Sequence, residues 1–171
     1  LTMTSNAIID DQLLTISADN SIVAEASLIT GKSIGGAGDL TINKLNETAA
    51  ADLSGISTSG TTIVNNAASS TTFTGTFPAT AFTLDGSGTV IMSNNGIPTT
   101  NDMTVDSGVT FQSTAANITG KKIKGAGNMT INTLNGDADA VLVNVTTTGT
   151  TAVNTSADMT FTGSFPATAF T

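Results

Sequence analysis

The chain contains no cysteine, histidine, tryptophan, tyrosine or arginine, and each absence excludes something. Without cysteine there is no disulfide and no thiolate metal site. Without histidine the usual general base near neutral pH is missing. Without arginine, bidentate clamping of carboxylate or phosphate is missing. Charge is scarce too: 11% of residues carry it, the net charge is −8, and all five basic residues are lysines (Lys32, Lys44, Lys121, Lys122 and Lys124). Phosphate neutralisation needs clustered cations, so no nucleic-acid partner is expected. No run of about 18 apolar residues occurs, so no membrane span is expected. The remainder is unlike a disordered chain, which combines low hydrophobicity with high charge: 39% of residues are hydrophobic and the mean hydropathy is +0.19.

What the chain has in abundance is repetition. ITGKSIGGAGDLTINKLN begins at Ile29, and ITGKKIKGAGNMTINTLN begins at Ile118, 89 positions later. TTFTGTFPATAFT (71–83) returns as MTFTGSFPATAFT (159–171), 88 positions later. Two tandem units of about 88 residues follow, 1–89 and 90–171, the second slightly truncated. Leu1 aligns with Val90 and Thr171 with Thr83, so the chain is expected to be a piece of a longer array. Repetition of this kind builds length or a periodic face.

A shorter echo lies inside each unit. Gly38-Asp39-Leu40-Thr41-Ile42-Asn43 is followed 22 positions later by Gly60-Thr61-Thr62-Ile63-Val64-Asn65, and Gly127 to Asn132 by Gly149 to Asn154 at the same spacing. Leu40-Thr41-Ile42 and Met129-Thr130-Ile131 read apolar–Thr–apolar, as do Leu14-Thr15-Ile16, Phe82-Thr83-Leu84 and Met103-Thr104-Val105, which in a strand puts two apolar side chains on one face. Gly, Asn, Asp and Ser bound the blocks as turn residues. Helical periodicity is weak; Glu47 to Leu53 suits only a loop with a helical turn.

A period near 22 with short strands predicts an all-β fold, a parallel β-helix (β-solenoid). Four sub-repeats per unit would give roughly eight coils stacked about 4.8 Å apart. Strands starting near 14, 40, 62, 103, 129 and 151 are expected to stack in parallel. Ile42, Ile63, Phe73, Phe82, Ile131, Val153, Phe161 and Phe170 are expected inside. Asn43 with Asn65, and Asn132 with Asn154, are expected to stack at corners. The alternative is a pair of tandem Ig-like β-sandwiches, since the unit is near the size of one such domain. Against it stand the missing Trp and Tyr and the shorter internal echo.

The phrases GAGDLTIN, GAGNMTIN, LDGSGTVIMSN and MTVDSGVTF resemble the passenger rods of large secreted bacterial adhesins of the filamentous-haemagglutinin and autotransporter type. The resemblance covers most of the chain. It implies a β-helix rod serving surface display, adhesion or biofilm scaffolding, and it carries over no catalytic residue. The expected role is therefore a structural repeat of an extracellular protein at the bacterial cell surface, not an enzyme. A surface-layer or extracellular filament subunit is the alternative. The expected partners are neighbouring repeat units, and other copies if a filament or lattice forms.

Several motifs invite sharper readings. Gly35-Gly36-Ala37-Gly38-Asp39 resembles the calcium-binding nonapeptide of RTX proteins, but that motif reads Gly-Gly-x-Gly-x-Asp and Leu40 stands at its Asp position. Its copy, Lys124-Gly125-Ala126-Gly127-Asn128, lacks the carboxylate. A tight corner needing small residues is expected instead. Asn135-Gly136-Asp137-Ala138-Asp139 and Asp10-Asp11 offer oxygens to a hard cation, yet calcium takes six to eight oxygens and neither cluster supplies them. Calcium is the one cofactor this chemistry leaves open; no catalytic, cofactor-binding or metal-ligating residue is assigned. Thr2-Met3-Thr4 and Thr72-Phe73-Thr74 suggest an ice-binding array but do not recur at every coil, so ordinary strand threonines are expected. FPATAF (77–82 and 165–170) is expected to pin a loop to the core by its two rings, with a contact pad for a neighbouring unit as the alternative.

Overall fold

The computed structural model describes residues 1–5, 12–98 and 102–171. The chain winds as an all-β solenoid of about 7 turns with 9% helix. Every strand pairing among the described residues is parallel. The first strands are β1 (Leu13–Ile16), β2 (Ser21–Glu25), β3 (Ser33–Gly36), β4 (Asp39–Asn43), β5 (Ile56–Thr58), β6 (Thr62–Asn66), β7 (Ser70–Phe73), β8 (Phe82–Gly86) and β9 (Gly88–Met92). The second unit adds β10 (Asp102–Val105), β11 (Val109–Thr114), β12 (Lys122–Gly125), β13 (Asn128–Asn132), β14 (Val145–Thr147) and β15 (Thr151–Val153). Two helical turns, α1 (Ala26–Ile29) and α2 (Ala115–Ile118), occupy equivalent places in the two units. Single 3-10 turns at Leu45–Glu47 and Leu134–Gly136 do the same.

The strands form three sides. One is the three-stranded sheet β1-β3-β5, the second the seven-stranded sheet from β2 through every even-numbered strand to β14, and the third the five-stranded sheet β7-β9-β11-β13-β15. In the first two circuits α1 and the 3-10 turn Leu45–Glu47 fill the third side, beneath β7. Along the long sheet the circuits differ in length: Ile22 to Leu40 is the shortest step, and Leu40 to Thr62 and Ile123 to Val145 are the longest.

Period-two alternation places one rank of each sheet inside. On the long sheet Ile22, Leu40, Thr62, Phe82, Met103, Ile123 and Val145 stack inward and all are buried. On the five-stranded sheet the inward rank is Thr71, Val90, Phe111, Met129 and Thr151. One continuous apolar core runs through both units. Stacked coils satisfy each strand's backbone groups from the coils above and below, so the rod needs no side-chain cross-links.

Ile42, Phe73, Phe82 and Ile131 lie inside as expected. Ile63 does not: Thr62 and Val64 face inward and Ile63 is half-buried. The reason is a buried hydroxyl pair, Thr58 with Thr62 at 2.6 Å, repeated as Thr147 with Thr151 at 3.0 Å. The pair satisfies both hydroxyls, so the polar rank goes in and the strand register shifts by one. Val153 and Phe161 are only partly buried, and Phe170 is 42% exposed. These three lie toward the C-terminal end, where fewer coils cover them.

The six expected strand starts do not form one stack. β4 pairs with β6, and β13 with β15, at the expected step. β1, β4 and β13, however, belong to three different sheets. β13 is the copy of β4 one unit later, yet it sits on the third side while β4 sits on the second. Likewise β10, β12 and β14 copy β1, β3 and β5 but lie on the second side, not the first. One unit therefore advances the chain by four circuits and one further side. Local pairings are kept: Leu40 opposes Thr62 as Met129 opposes Thr151, and Ile34 opposes Ile56 as Ile123 opposes Val145. The copies share one fold but are turned by a third of a revolution about the rod axis.

Candidate functional surface

The residues singled out in the sequence serve the stacking of coils. Asp39 Oδ1 accepts the Thr61 N–H of the next coil at 2.7 Å, and its copy Asn128 Oδ1 accepts the Thr150 N–H at 2.9 Å. A neutral amide replaces the carboxylate in the same acceptor role, bonding one coil's corner to the next. Gly38 is buried at this corner, where a Cβ would collide with the backbone oxygens of Ser17 and Asn20; Gly60 lies over Gly38 in the same way. The calcium-motif resemblance is thus a corner made of close backbone approach.

Asn154 Nδ2 donates to Asn132 Oδ1 at 3.0 Å, the expected corner ladder. Asn43 and Asn65 follow the paired Ile42 and Val64 without such a bond. A stronger asparagine device lies elsewhere. Asn66 is fully buried; its amide donates to the carbonyls of Ala68 at 3.1 Å and Ser87 at 2.7 Å, and its oxygen accepts from Thr71 at 2.6 Å. Sequence pattern did not single it out, because Asn at a strand end reads as a turn residue. Asn46 and Asn135 each accept a backbone N–H from the next coil, from Ala67 and Ser156 respectively.

The acidic pair Asp137 and Asp139 lies beside the 3-10 turn Leu134–Gly136. Asp137 is pushed above its ordinary pKa by burial, then by sharing a hydrogen bond with, and lying in the field of, Asp139. Among the described residues no group of three or more acidic, His or Cys side chains is placed to hold a metal. Asp10 and Asp11 lie outside the described residues.

The cations are occupied or enclosed. Lys44 pairs with Glu25 at 2.7 Å and Glu47 at 3.5 Å, and Lys124 and Lys122 approach Asp102 at 2.7 and 3.8 Å. Such exposed pairs are screened by solvent and contribute little to stability. Lys32 and Lys121 hold the same place in the two units and are buried. Burial pulls Lys121 below the ordinary lysine range.

The outward faces are mixed. Along the long sheet the outer rank reads Val23, Thr41, Ile63, Thr83, Thr104, Lys124 and Thr146. Along the five-stranded sheet it reads Thr72, Ile91, Gln112, Thr130 and Ala152. Threonine recurs without forming an unbroken array. The surface hollows are shallow: one of about 440 Å³ lies between Thr148–Thr151 and Ala169–Thr171, and one of about 230 Å³ carries Asp102 and Lys124. Their lining is mixed: threonines and glycine, with Asn128 and Phe170 in the first and Phe82 and that ion pair in the second.

Acid should act on two carboxylates with opposite sign. Asp52 accepts from the Ser54 hydroxyl at 2.6 Å, the Thr76 hydroxyl and the Ser54 N–H at 3.0 Å, and these bonds hold it below its ordinary pKa. Its contribution is full above the unfolded value of about 3.9 and fades as pH falls through the lower folded value. Asp137 has the raised folded pKa, so its cost is present above that value and is relieved as pH falls through it. Thermal melts across acid pH should therefore show Asp52→Asn losing part of the acid-side fall in stability. Asp137→Asn should melt higher than the parent at neutral pH and match it in acid. Identical pH profiles for both variants and the parent would contradict these assignments.

No family model matches the chain, and no curated protein or solved structure matches it. No helix among the described residues is long and apolar enough to cross a membrane.

Proposed function

We propose that the chain is a structural repeat segment of an extracellular bacterial surface protein, a rod of the adhesin or biofilm-scaffold kind, with no catalytic role. The observation that carries this reading is the solenoid of about 7 turns in which one unit follows another through an unbroken core. Two further points support it. The polar side chains Asn66, Asp39 and Asn128 join coil to coil, and the buried Thr pairs join neighbouring sides of one coil. The residue inventory also omits the usual base, thiol and guanidinium.

A rod of this build works by length and by number. Each added unit extends it by roughly 20 Å, four and a third coils at about 4.8 Å. Because successive units are turned by a third of a revolution, any weakly binding patch is presented in three directions. A rod so built engages a surrounding matrix, where a stripe on one side would engage a flat surface. Weak contacts then sum through effective concentration.

The test is a set of tandem arrays with increasing unit number, displayed on the surface of a non-adherent bacterium. Attachment to other cells or to matrix should rise gradually with unit number, and protease should remove the array from intact cells. Abolition of attachment by one exposed Thr or Asp substitution, with folding intact, would overturn the distributed-surface reading.

A surface-layer or filament subunit is the second reading. The exposed apolar side chains of Val141 and Val143 on the flank of the rod favour it. Chelator treatment of intact assemblies separates the two: dissolution favours a calcium-held lattice, persistence the covalent rod.

A further inference from the structure

The two units repeat in shape, but their charge does not follow the repeat. Among the described residues, the charged residues that lie in strands are Glu25, Asp39, Asp85, Asp102, Lys122 and Lys124, and all lie on the seven-stranded sheet. The strands of the other two sides carry none. Because the units are turned by a third of a revolution, this requires an exchange at equivalent positions 89 residues apart. Glu25 and Asp39 stand on the long sheet, and their copies on the five-stranded sheet are Thr114 and Asn128. Asp102, Lys122 and Lys124 stand on the long sheet in the second unit, and their copies on the three-stranded sheet are Leu13, Ser33 and Gly35. At each of these positions charge is present where the chain faces the second side and absent where it faces another. A patch fixed by its place in the repeat turns from unit to unit; the strand charge stays on one side of the rod.

The five-stranded sheet is the larger of the two sides with uncharged strands, and its outer face is polar. Outward side chains recur about 4.8 Å apart along the rod and roughly 6.7 Å apart along each strand. The middle rank reads Thr72, Ile91, Gln112, Thr130 and Ala152. Among the described residues nothing bonds the side chains of Thr72, Gln112 or Thr130, which leaves their hydroxyls and amide open to solvent or ligand. Gln112 and Thr130 separate the two apolar members, Ile91 and Ala152, so the rank holds no apolar patch.

What this face can bind follows from what it lacks. Recognition by charge needs complementary charge, and these strands carry none. A protein partner is anchored by aromatic, arginine or large apolar groups in desolvated pockets, and a flat rank of hydroxyls offers no such pocket. A hydroxyl both donates and accepts, so ranks of them match a polymer that is itself uncharged and rich in hydroxyls. We propose that the outer face of the five-stranded sheet binds an uncharged polysaccharide. Charge on this face would be desolvated under such a ligand, which has no opposite charge to offset the loss; its confinement to the long sheet removes that cost. The inference rests on the fold and the charge distribution and does not depend on a cell-surface location.

The test is electrophoresis of the purified chain in native gels containing dextran, hydroxyethylcellulose or a polyuronate. A neutral glucan should retard the chain and the polyuronate should not. Gln112→Lys/Thr130→Glu puts one charge of each sign at directly opposed positions of the face and leaves the net charge of −8 unchanged. It should weaken the retardation at least about tenfold. Thr89→Lys/Thr110→Glu does the same one rank away, so a folding failure in one pair leaves the other to decide. Thr83→Glu/Thr104→Lys, the matching pair on the long sheet, should bind as the parent does. Far-ultraviolet spectra check that each variant is folded. No retardation by either glucan, stronger retardation by the polyuronate, or an equal loss in the long-sheet pair would overturn the proposal. Concentration-dependent association of the chain that the face variants abolish would assign the face to a second copy and would overturn it too.

Discussion

Phe77→Ala should lower stability by about 3–5 kcal/mol, the cost of emptying a fully buried phenylalanine site. Phe77 stacks on Phe82 at 4.8 Å, tilts against Phe73 at 4.7 Å and meets Phe111 edge-on, so its ring joins the core of the first unit to that of the second. Its neighbours belong to stacked coils whose backbones are bonded above and below, and they cannot collapse far into the cavity. At about 2–4 °C per kcal/mol for a chain of this size, the midpoint of thermal unfolding should fall by roughly 6–20 °C. Phe165→Ala, the same substitution one unit later, should cost only about 1 kcal/mol, because its ring is already 42% exposed. Differential scanning calorimetry of the two variants makes the comparison. Equal costs would mean that the second file is covered as fully as the first.

Gly86→Val should be as damaging for a different reason. Gly86 has φ +104, a backbone conformation that L side chains rarely adopt, and a Cβ there would run into the Asn66 carbonyl oxygen and approach Asn65 Oδ1 at 2.6 Å. Strain of about 1–3 kcal/mol adds to an overpacking cost of about 1–3 kcal/mol. The displaced Asn66 is the buried amide that ties Ala68, Thr71 and Ser87 together, so the disturbance spreads between two coils. Gly136→Ala is the control. A Cβ there meets nothing within 4 Å, and the change should be neutral or stabilising by up to about 1 kcal/mol. Chemical denaturation midpoints that move equally for both would contradict the corner geometry.

The fold class was legible because apolar–Thr–apolar blocks bounded by Gly and Asn recur at a spacing one coil can hold. The step from β4 to β6 and from β13 to β15 is the spacing read from GDLTIN and GTTIVN. The Phe anchors of the first FPATAF were legible too, since large rings have one favourable place in a thin core. Register at β6 was not, because Thr62 and Ile63 compete for the inside and the winner depends on a partner hydroxyl, Thr58, from another side of the coil. Asn66 was missed for a related reason: its partners are Thr71 on the next side and Ser87 in the next coil, and a pattern along one strand carries no trace of them. The third-of-a-turn offset was hidden most deeply. The spacing between the two copies is compatible with four longer circuits or with four and a third shorter ones. Only the shorter steps, such as that from Ile22 to Leu40, decide between them.

The central claim is that the second unit is turned by one side relative to the first, and one pair of cysteine variants tests it. Thr83 and Thr104 are direct neighbours on the long sheet, whereas Gln112 opposes Ile91 on the five-stranded sheet. Were each unit a whole number of circuits, Gln112 would repeat the place of Val23 and stand beside Thr83 in the same outer rank. Oxidation of Thr83→Cys/Thr104→Cys should therefore form an intramolecular disulfide, seen as loss of both free thiols in the monomer. Thr83→Cys/Gln112→Cys should keep both thiols. The reverse outcome, a bond from position 83 to 112 and none to 104, would contradict the account.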